Sequence, residues 1–304
     1  MKTALPFTMT KMRSMRGKIL ALYGKSRQDE NLGGIMNFMA EARRRGFGLL
    51  CHEKFAAYLS RFGENPDFIP PVFSGIPEAD VAISFGGDGT FLRTARRLGD
   101  TEMPIAGINT GTLGYLAHFT LDNSGVLLDG IASGSLKMQP RRLIEVSGDD
   151  IPSDFIRCAL NEIAVQKDDS ASMINVNVEL DGFFLADYRA DGLIVSTATG
   201  STAYNLSVGG PILQPELGCM VLSPVAPHSL TLRPVVIAGK SELRLHMSSR
   251  TGRYRLSVDG YSVTMKERSN LVVKAAPYVV NLLSPHDDTF SASLRDKLLW
   301  GKLS

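Results

Sequence analysis

Short apolar runs alternate with helical periodicity through the first half of the chain. Residues 18–23 read as a strand. Ile35, Phe38, Met39 and Ala42 then recur at the spacing of one helix face, and Gly46, after Arg43, Arg44 and Arg45, marks a natural helix end. Residues 47–51, 81–85 and 105–108 are further strand candidates, and residues 91–98 a helix. Strands separated by helices require crossover connections, which predicts a mostly parallel sheet. Ligands of such sheets bind beyond the carboxyl ends of the strands, where residues 86–90 and 109–115 fall. From about Arg141 the period changes to two. Ile174, Val176, Val178 and Leu180 alternate with Asn175, Asn177 and Glu179 up to Asp181-Gly182. Leu243, Leu245 and Met247 alternate likewise, as do Tyr254, Leu256 and Val258 before Asp259-Gly260. Period-two segments closed by Asp-Gly turns predict antiparallel hairpins. The expected fold is an α/β N-terminal domain with a mostly parallel sheet (1–140) plus a β-rich C-terminal domain (141–285). Phe290, Leu294, Leu298 and Trp300 predict a short amphipathic helix, about 286–304, that packs back on the first domain.

Composition narrows the function classes. The 304 residues are 44% hydrophobic and 21% charged, globular values that exclude wholesale disorder. A net charge of +2 gives no electrostatic footprint for nucleic acid or an anionic membrane, and no apolar run approaches the roughly 18 residues of a membrane span. Cys51, Cys158 and Cys219 are odd in number and far apart, as reduced thiols of a cytoplasmic protein would be. No pair of them, and none of the five histidines, has metal-ligand spacing, so no dedicated metal site is expected. The basic N-terminus lacks the apolar stretch of a signal peptide.

The chemistry concentrates in two glycine-rich segments. Gly86-Gly87-Asp88-Gly89-Thr90 lies between the strand 81–85 and the helix 91–98. Glycines let backbone approach a ligand, and amides at a helix start can cradle phosphate. An acid there opposes anion binding unless it takes a proton from an attacking hydroxyl or holds a metal that bridges phosphates. A capped tight turn would explain one glycine but not three plus the acid. The second segment runs from Asp191 to Tyr204. Ser196, Thr197, Thr199, Ser201 and Thr202 offer five hydroxyls around Gly200, suited to sugar and phosphate, and Tyr204 offers a face for a base; the competing reading is a Ser/Thr-rich helix cap. Between the segments, Asn161-Glu162 is a polar pair among apolar neighbours, able to read an adenine edge and ribose hydroxyls, or simply to end a strand. Gly24-Lys25-Ser26 and Gly239-Lys240-Ser241 lack the upstream glycine of a P-loop.

Taken in order, these segments resemble the NAD kinase family. The likeness runs through Gly86 to Thr90, Asn109 to Leu116, Asn161-Glu162, Asp191 to Tyr204 with Gly209-Gly210, then Pro227-His228-Ser229-Leu230, Arg233-Pro234 and Val258-Asp259-Gly260. Ala198 departs from the family's usual proline, with loss of a rigid turn but of no reactive group. The resemblance implies transfer of the γ-phosphoryl of ATP, or another phosphoryl donor, to the 2′-hydroxyl of the adenosine ribose of NAD, giving NADP, in an active site between the two domains. It implies Asp88 as general base and the Gly86, Gly87, Gly89 and Thr90 backbone around the diphosphate. Asn161 and Glu162 would hold adenine and ribose, and Thr202 and Tyr204 would contact adenine, with Thr199, Ala203 and Ser207 nearby. Asp191 would lie toward the nicotinamide and Tyr115 would line the cleft. Arg93 and Asn109 would stand at the margin, and His228 would reach a neighbouring subunit's site. Arg189 is a candidate selector between NAD and NADH. The implied cofactor is Mg²⁺ or another divalent cation arriving with ATP. The implied partners are NAD, ATP and a second or fourth copy of the chain in a homodimer or homotetramer, with no nucleic acid and no membrane. Two alternatives share features: a lipid kinase of the diacylglycerol type, which would need an apolar channel, and a non-catalytic NAD(P) sensor, which would tolerate loss of Asp88.

Overall fold

The computed structural model describes residues 17–63, 68–111, 114–168, 172–267 and 269–301. The chain divides into two compact units, residues 1–139 with 281–304, and residues 140–280. Thr112 and Leu113 of the resemblance lie outside the described residues.

The first unit is an α/β structure. Its strands are β1 (Ile19–Gly24), β2 (Gly48–His52), β3 (Val72–Phe73), β4 (Val81–Phe85), β5 (Ile105–Asn109) and β6 (Phe119–Thr120). All pair in parallel in the order β3-β2-β1-β4-β5, with β6 joining the end of β5. Leu282 and Leu283 also pair in parallel with Ile105 and Ala106 of β5. Every residue of β4 and β5 is buried, as central parallel strands covered on both faces must be. The helices are α1 (Leu32–Arg44), α2 (Glu53–Leu59), α3 (Asp88–Leu98), α4 (Ser124–Ser133) and a C-terminal helix, Phe290–Lys297, shorter than the predicted 286–304. α1 buries the four residues its periodicity marked, Ile35, Phe38, Met39 and Ala42. Phe38 meets Phe85 of β4 edge-on, ring centroids 5.2 Å apart, a favoured aromatic geometry. The chain leaves α1 through Gly46 at φ +83, a left-handed exit that suits glycine.

The second unit is antiparallel and β-rich. Its strands are β7 (Lys137–Ser147), β8 (Cys158–Ala159), β9 (Glu162–Lys167), β10 (Ile174–Leu180), β11 (Phe183–Ala190), β12 (Gly192–Thr197), β13 (Cys219–Val225), β14 (Val235–Ala238), β15 (Leu243–Ser249), β16 (Arg253–Val258), β17 (Tyr261–Lys266) and β18 (Asn270–Ser284). One sheet has the order β14-β13-β12-β9-β16-β17, and another run the order β11-β10-β15-β18. Ile163, Val165, Leu193 and Val195 from the first pack into one core with Val176, Val178 and Leu245 from the second. Both Asp-Gly turns are as expected: Asp181 and Gly182 have φ of +52 and +83, and Asp259 and Gly260 of +45 and +82, the two left-handed residues that a tight hairpin requires.

The long strands β7 and β18 were not evident from the pattern. Pro140 and Pro277 interrupt them, and proline within a strand run reads as a break. α3 begins at Asp88 rather than Phe91, so the glycine-rich loop supplies the first helical turn.

Candidate active site

In the first unit the chemistry stands at the carboxyl end of β4. Gly86 has φ +152, and a Cβ there would lie 2.4 Å from Thr90 Oγ1, so the sharp strand-to-helix turn demands glycine. Its N–H donates to Ile108 O at 2.9 Å, while those of Thr90 and Phe91 turn back to Gly87 O. The amides left to face a ligand are those of Gly87, Asp88 and Gly89, at the positive end of the α3 dipole. A Cβ on Gly87 would meet nothing within 4 Å, and one on Gly89 only Arg93 Nη1 at 3.8 Å. These two glycines leave room beside the loop instead of satisfying the backbone.

Asp88 is half-buried and held by the loop 114–116. Its carboxylate accepts the backbone N–H of Tyr115 at 2.7 Å and of Leu116 at 2.9 Å, one on each oxygen. Gly114 allows that approach, since a Cβ on it would lie 2.2 Å from Asp88 Oδ1. A carboxylate has about four acceptor sites, so the held group retains capacity for an incoming hydroxyl. Tyr115 is raised above the usual phenol range, first by burial and then by the Asp88 charge, and its hydroxyl is buried without a partner. Lys297 lies over the Tyr115 ring, 5.5 Å from its centroid, and donates to the Tyr115 carbonyl at 3.4 Å. Arg93 is turned back within α3, donating to Thr90 Oγ1 at 2.9 Å. Asn109 caps its own loop by accepting from Gly111 N–H at 2.8 Å.

In the second unit the hydroxyl-rich segment follows β12. A short 3-10 turn, Thr199–Thr202, leads into the single helical turn α5 (Tyr204–Ser207). Three of the five hydroxyls serve the fold. Thr197 Oγ1 donates to Leu160 O at 2.6 Å, Ser196 Oγ to Thr197 O at 3.0 Å, and Ser201 Oγ accepts from Leu213 N–H at 3.0 Å. Thr199 Oγ1 is different: it is buried with no partner, and Thr202 is half-buried beside it in the turn. Gly200 packs on the Asn161 carbonyl so closely that a Cβ would lie 2.1 Å from its oxygen. This contact joins the segment to Asn161-Glu162.

Glu162 opens β9. Its carboxyl is lifted to about 7, first by burial and then by the Asp259 charge, against a downward pull from the Tyr204 backbone N–H. Its Oε2 is buried without a partner. Buried polar atoms are ordinarily satisfied, so the unpartnered oxygens on Glu162 and Thr199 make them candidates for a ligand contact. Gly200 and the Tyr204 N–H thus bring the hydroxyl-rich segment against Asn161 and Glu162. Asp191 stands just before β12, whose length separates it from Thr199 by roughly 20 Å at strand rise, and Arg189 lies near the end of β11. Asp191 pairs with Lys167 at 2.7 Å. Arg189 lines an open cavity of about 510 Å³ with Lys167, Asn175 and Arg250. The Tyr204 hydroxyl accepts from Gln166 at 2.9 Å. His228 is exposed, its N–H donating to the Arg189 carbonyl, and Ser207 is exposed at the end of α5.

Sequence reasoning passed over Asn205. Its fully buried amide donates to Ser201 O and Pro211 O and accepts from Ser223 Oγ at 2.6 Å, which pins α5 to β13. Gln166, the partner of the Tyr204 hydroxyl, was also missed, because a polar residue at a strand end carries no periodic signal. No three His, Cys, Asp or Glu side chains converge among the described residues. No helix among them is long and apolar enough to cross a membrane.

Comparison with known proteins meets these features. Residues 75–136 match the ATP-NAD kinase N-terminal domain, and residues 160–284 the ATP-NAD kinase C-terminal domain. An NAD kinase of Porphyromonas gingivalis is 37% identical over 288 residues, 93% of this chain and 98% of the relative. One of Bacteroides fragilis is 42% identical over 224 residues, 74% and 77% of the two chains. Among solved structures, an NAD kinase from Archaeoglobus fulgidus in complex with ATP is 26% identical, with a TM-score of 0.69 over 88% of this chain and 94% of that one. Yeast NADH kinase complexed with NADH shares the fold at 23% identity, with a TM-score of 0.84 over 95% and 89%. With an N-terminal and a C-terminal family domain matched and one relative 37% identical over 98% of its length, the chain belongs to the NAD kinase family.

Proposed function

We propose that the protein transfers the γ-phosphoryl group of ATP to the 2′-hydroxyl of the adenosine ribose of NAD, with Asp88 as general base. The observation that carries the reading is the Asp88 carboxylate, held by two backbone N–H groups at the start of α3 and half open to an incoming group. Asp88 takes the proton as the 2′-oxygen bonds to the γ-phosphorus. The bond from that phosphorus to the β–γ bridging oxygen breaks, ADP leaves, and the proton passes from Asp88 to solvent. Phosphoryl transfer asks the protein chiefly for positioning and for charge stabilisation. Gly87, Asp88 and Gly89 supply amides toward the diphosphate, and Glu162, Asn161, Thr199, Thr202, Ala203 and Tyr204 hold the adenosine. Asp191 and Arg189 serve the nicotinamide half.

The divalent ion, Mg²⁺ or a similar one, enters as part of the donor with the triphosphate. A second copy of the chain would find apolar edges in Val235 and Val236 of β14, and in Phe183 and Phe184 at the start of β11, all exposed. A reducing cytoplasm suits the three free thiols.

The test is NADP formation from NAD, ATP and Mg²⁺, read through an NADP-specific dehydrogenase. Product supports the assignment. Bound NAD without product from ATP or polyphosphate points to a sensor, and absence of NAD binding removes the reading.

A further inference from the structure

The Asp259 carboxylate makes contacts that its hairpin turn does not call for. Asp259 occupies the first position of the turn between β16 and β17 at φ +45, a conformation rare outside glycine, asparagine and aspartate. Its carboxylate accepts three successive backbone N–H groups: Leu160 at 2.8 Å on Oδ2, Asn161 at 2.8 Å and Glu162 at 3.1 Å on Oδ1. Its own N–H donates to the Glu162 carbonyl at 3.1 Å. Consecutive amides aimed at one anion form a nest, whose bonds are charge-assisted and strong. From the other side, the Asn161 carbonyl accepts the Thr197 N–H at 2.9 Å and Ser196 Oγ at 3.3 Å. The peptide that carries Asn161 and Glu162 is thereby gripped on both sides before β9 begins.

The grip also sets the electrostatics of Glu162. From the elements around β9, Ser196 of β12 lies opposite Glu162, the Tyr204 N–H reaches it from α5, and Asp259 is the charge acting on it. Cys158 of β8 feels the same charge together with that of Glu145.

We propose that Asp259 is a positioning residue that fixes the Asn161-Glu162 peptide, so that the Glu162 carboxyl presents its unpartnered oxygen to the ribose of the dinucleotide. The inference rests on the assignment of Glu162 to that ribose. Asp259 touches no substrate; it acts through Glu162.

The experiment is a double-mutant cycle of Asp259→Asn and Glu162→Gln. It reads NAD affinity by calorimetry, KM for ATP, and the Glu162 titration by carboxyl ¹³C NMR in the unliganded protein. Asparagine offers one acceptor oxygen and no charge, so NAD affinity falls by at least ~10-fold, the scale of losing charged hydrogen bonds, with KM for ATP unchanged. The double variant is little weaker than Glu162→Gln alone, and the Glu162 midpoint moves down in Asp259→Asn. Unchanged NAD affinity, additive losses or an unmoved Glu162 midpoint overturns the proposal. A wild type that fails to bind NAD removes the ribose assignment instead, and the Glu162 midpoint still decides whether Asp259 sets that carboxyl. Should Asp259→Asn not fold, Asp259→Ser carries the same readings with a smaller uncharged acceptor.

Discussion

Glutamine at position 162 would keep the shape of the buried side chain and remove its proton equilibrium. Burial, and then the Asp259 charge, lift the Glu162 carboxyl from an ordinary 4.5 to about 7. The folded protein therefore holds this proton more tightly than the unfolded chain does. The resulting stabilisation is fully present below about pH 4.5 and is lost as pH rises through 7. At 1.36 kcal/mol per unit of pKa, the wild type loses up to roughly 3 kcal/mol across that window. Glutamine does not titrate there. Glu162→Gln is therefore expected to lie close to the wild type near pH 5 and to exceed it by about 2–3 kcal/mol near pH 8. Such a gain on deleting a buried carboxyl is the signature expected of a group kept for function at a cost in stability. Urea unfolding of both proteins at several pH values measures it, and taking the difference between them cancels the other titrating groups. A difference that stays flat from pH 5 to 8 would refute the claim that burial and Asp259 keep the proton on Glu162.

Three further outcomes follow from the geometry. Gly86→Ala forces a side chain into a left-handed backbone and onto Thr90; it should destabilise the protein by roughly 1–3 kcal/mol in chemical denaturation. Gly87→Ala, with open space around its Cβ and φ −88, should fold with near-normal stability yet raise KM for ATP, because the methyl stands where the loop leaves room; equal KM values would reject that role for the space. Tyr204→Ala removes the ring on which adenine is assigned to rest and should weaken NAD binding by roughly 1 kcal/mol or more in calorimetry.

How far the sequence reached varied with the type of signal. The α1 face, β4 and β10 were read to within a residue, because their burial follows one strong period in each case. Periodicity failed for β18, where Pro277 stands inside a fifteen-residue strand. At the candidate site, residue type marked segments but could not divide the labour within them. Ser196, Thr197 and Ser201 look no different in sequence from Thr199, and only the folded hydrogen-bond network separates the three that bind backbone from the one left without a partner. The same holds for the glycines. Gly86 is required by its backbone and Gly87 is not, a distinction that depends on where Thr90 lies. Asp259 read as a turn residue, since nothing local reveals that its carboxylate closes on amides nearly a hundred positions away.

The central claim is that Asp88 takes the proton of the attacking hydroxyl, and Asp88→Asn tests it most directly. Asparagine nearly matches the side chain in shape and can still accept an amide of the 115–116 loop. The account predicts a folded protein that binds NAD with near wild-type affinity and turns it over at least ~100-fold more slowly, the scale of losing a general base. A folded Asp88→Asn protein with near-normal kcat would contradict it and leave Asp88 as an anchor for the loop that bears Tyr115.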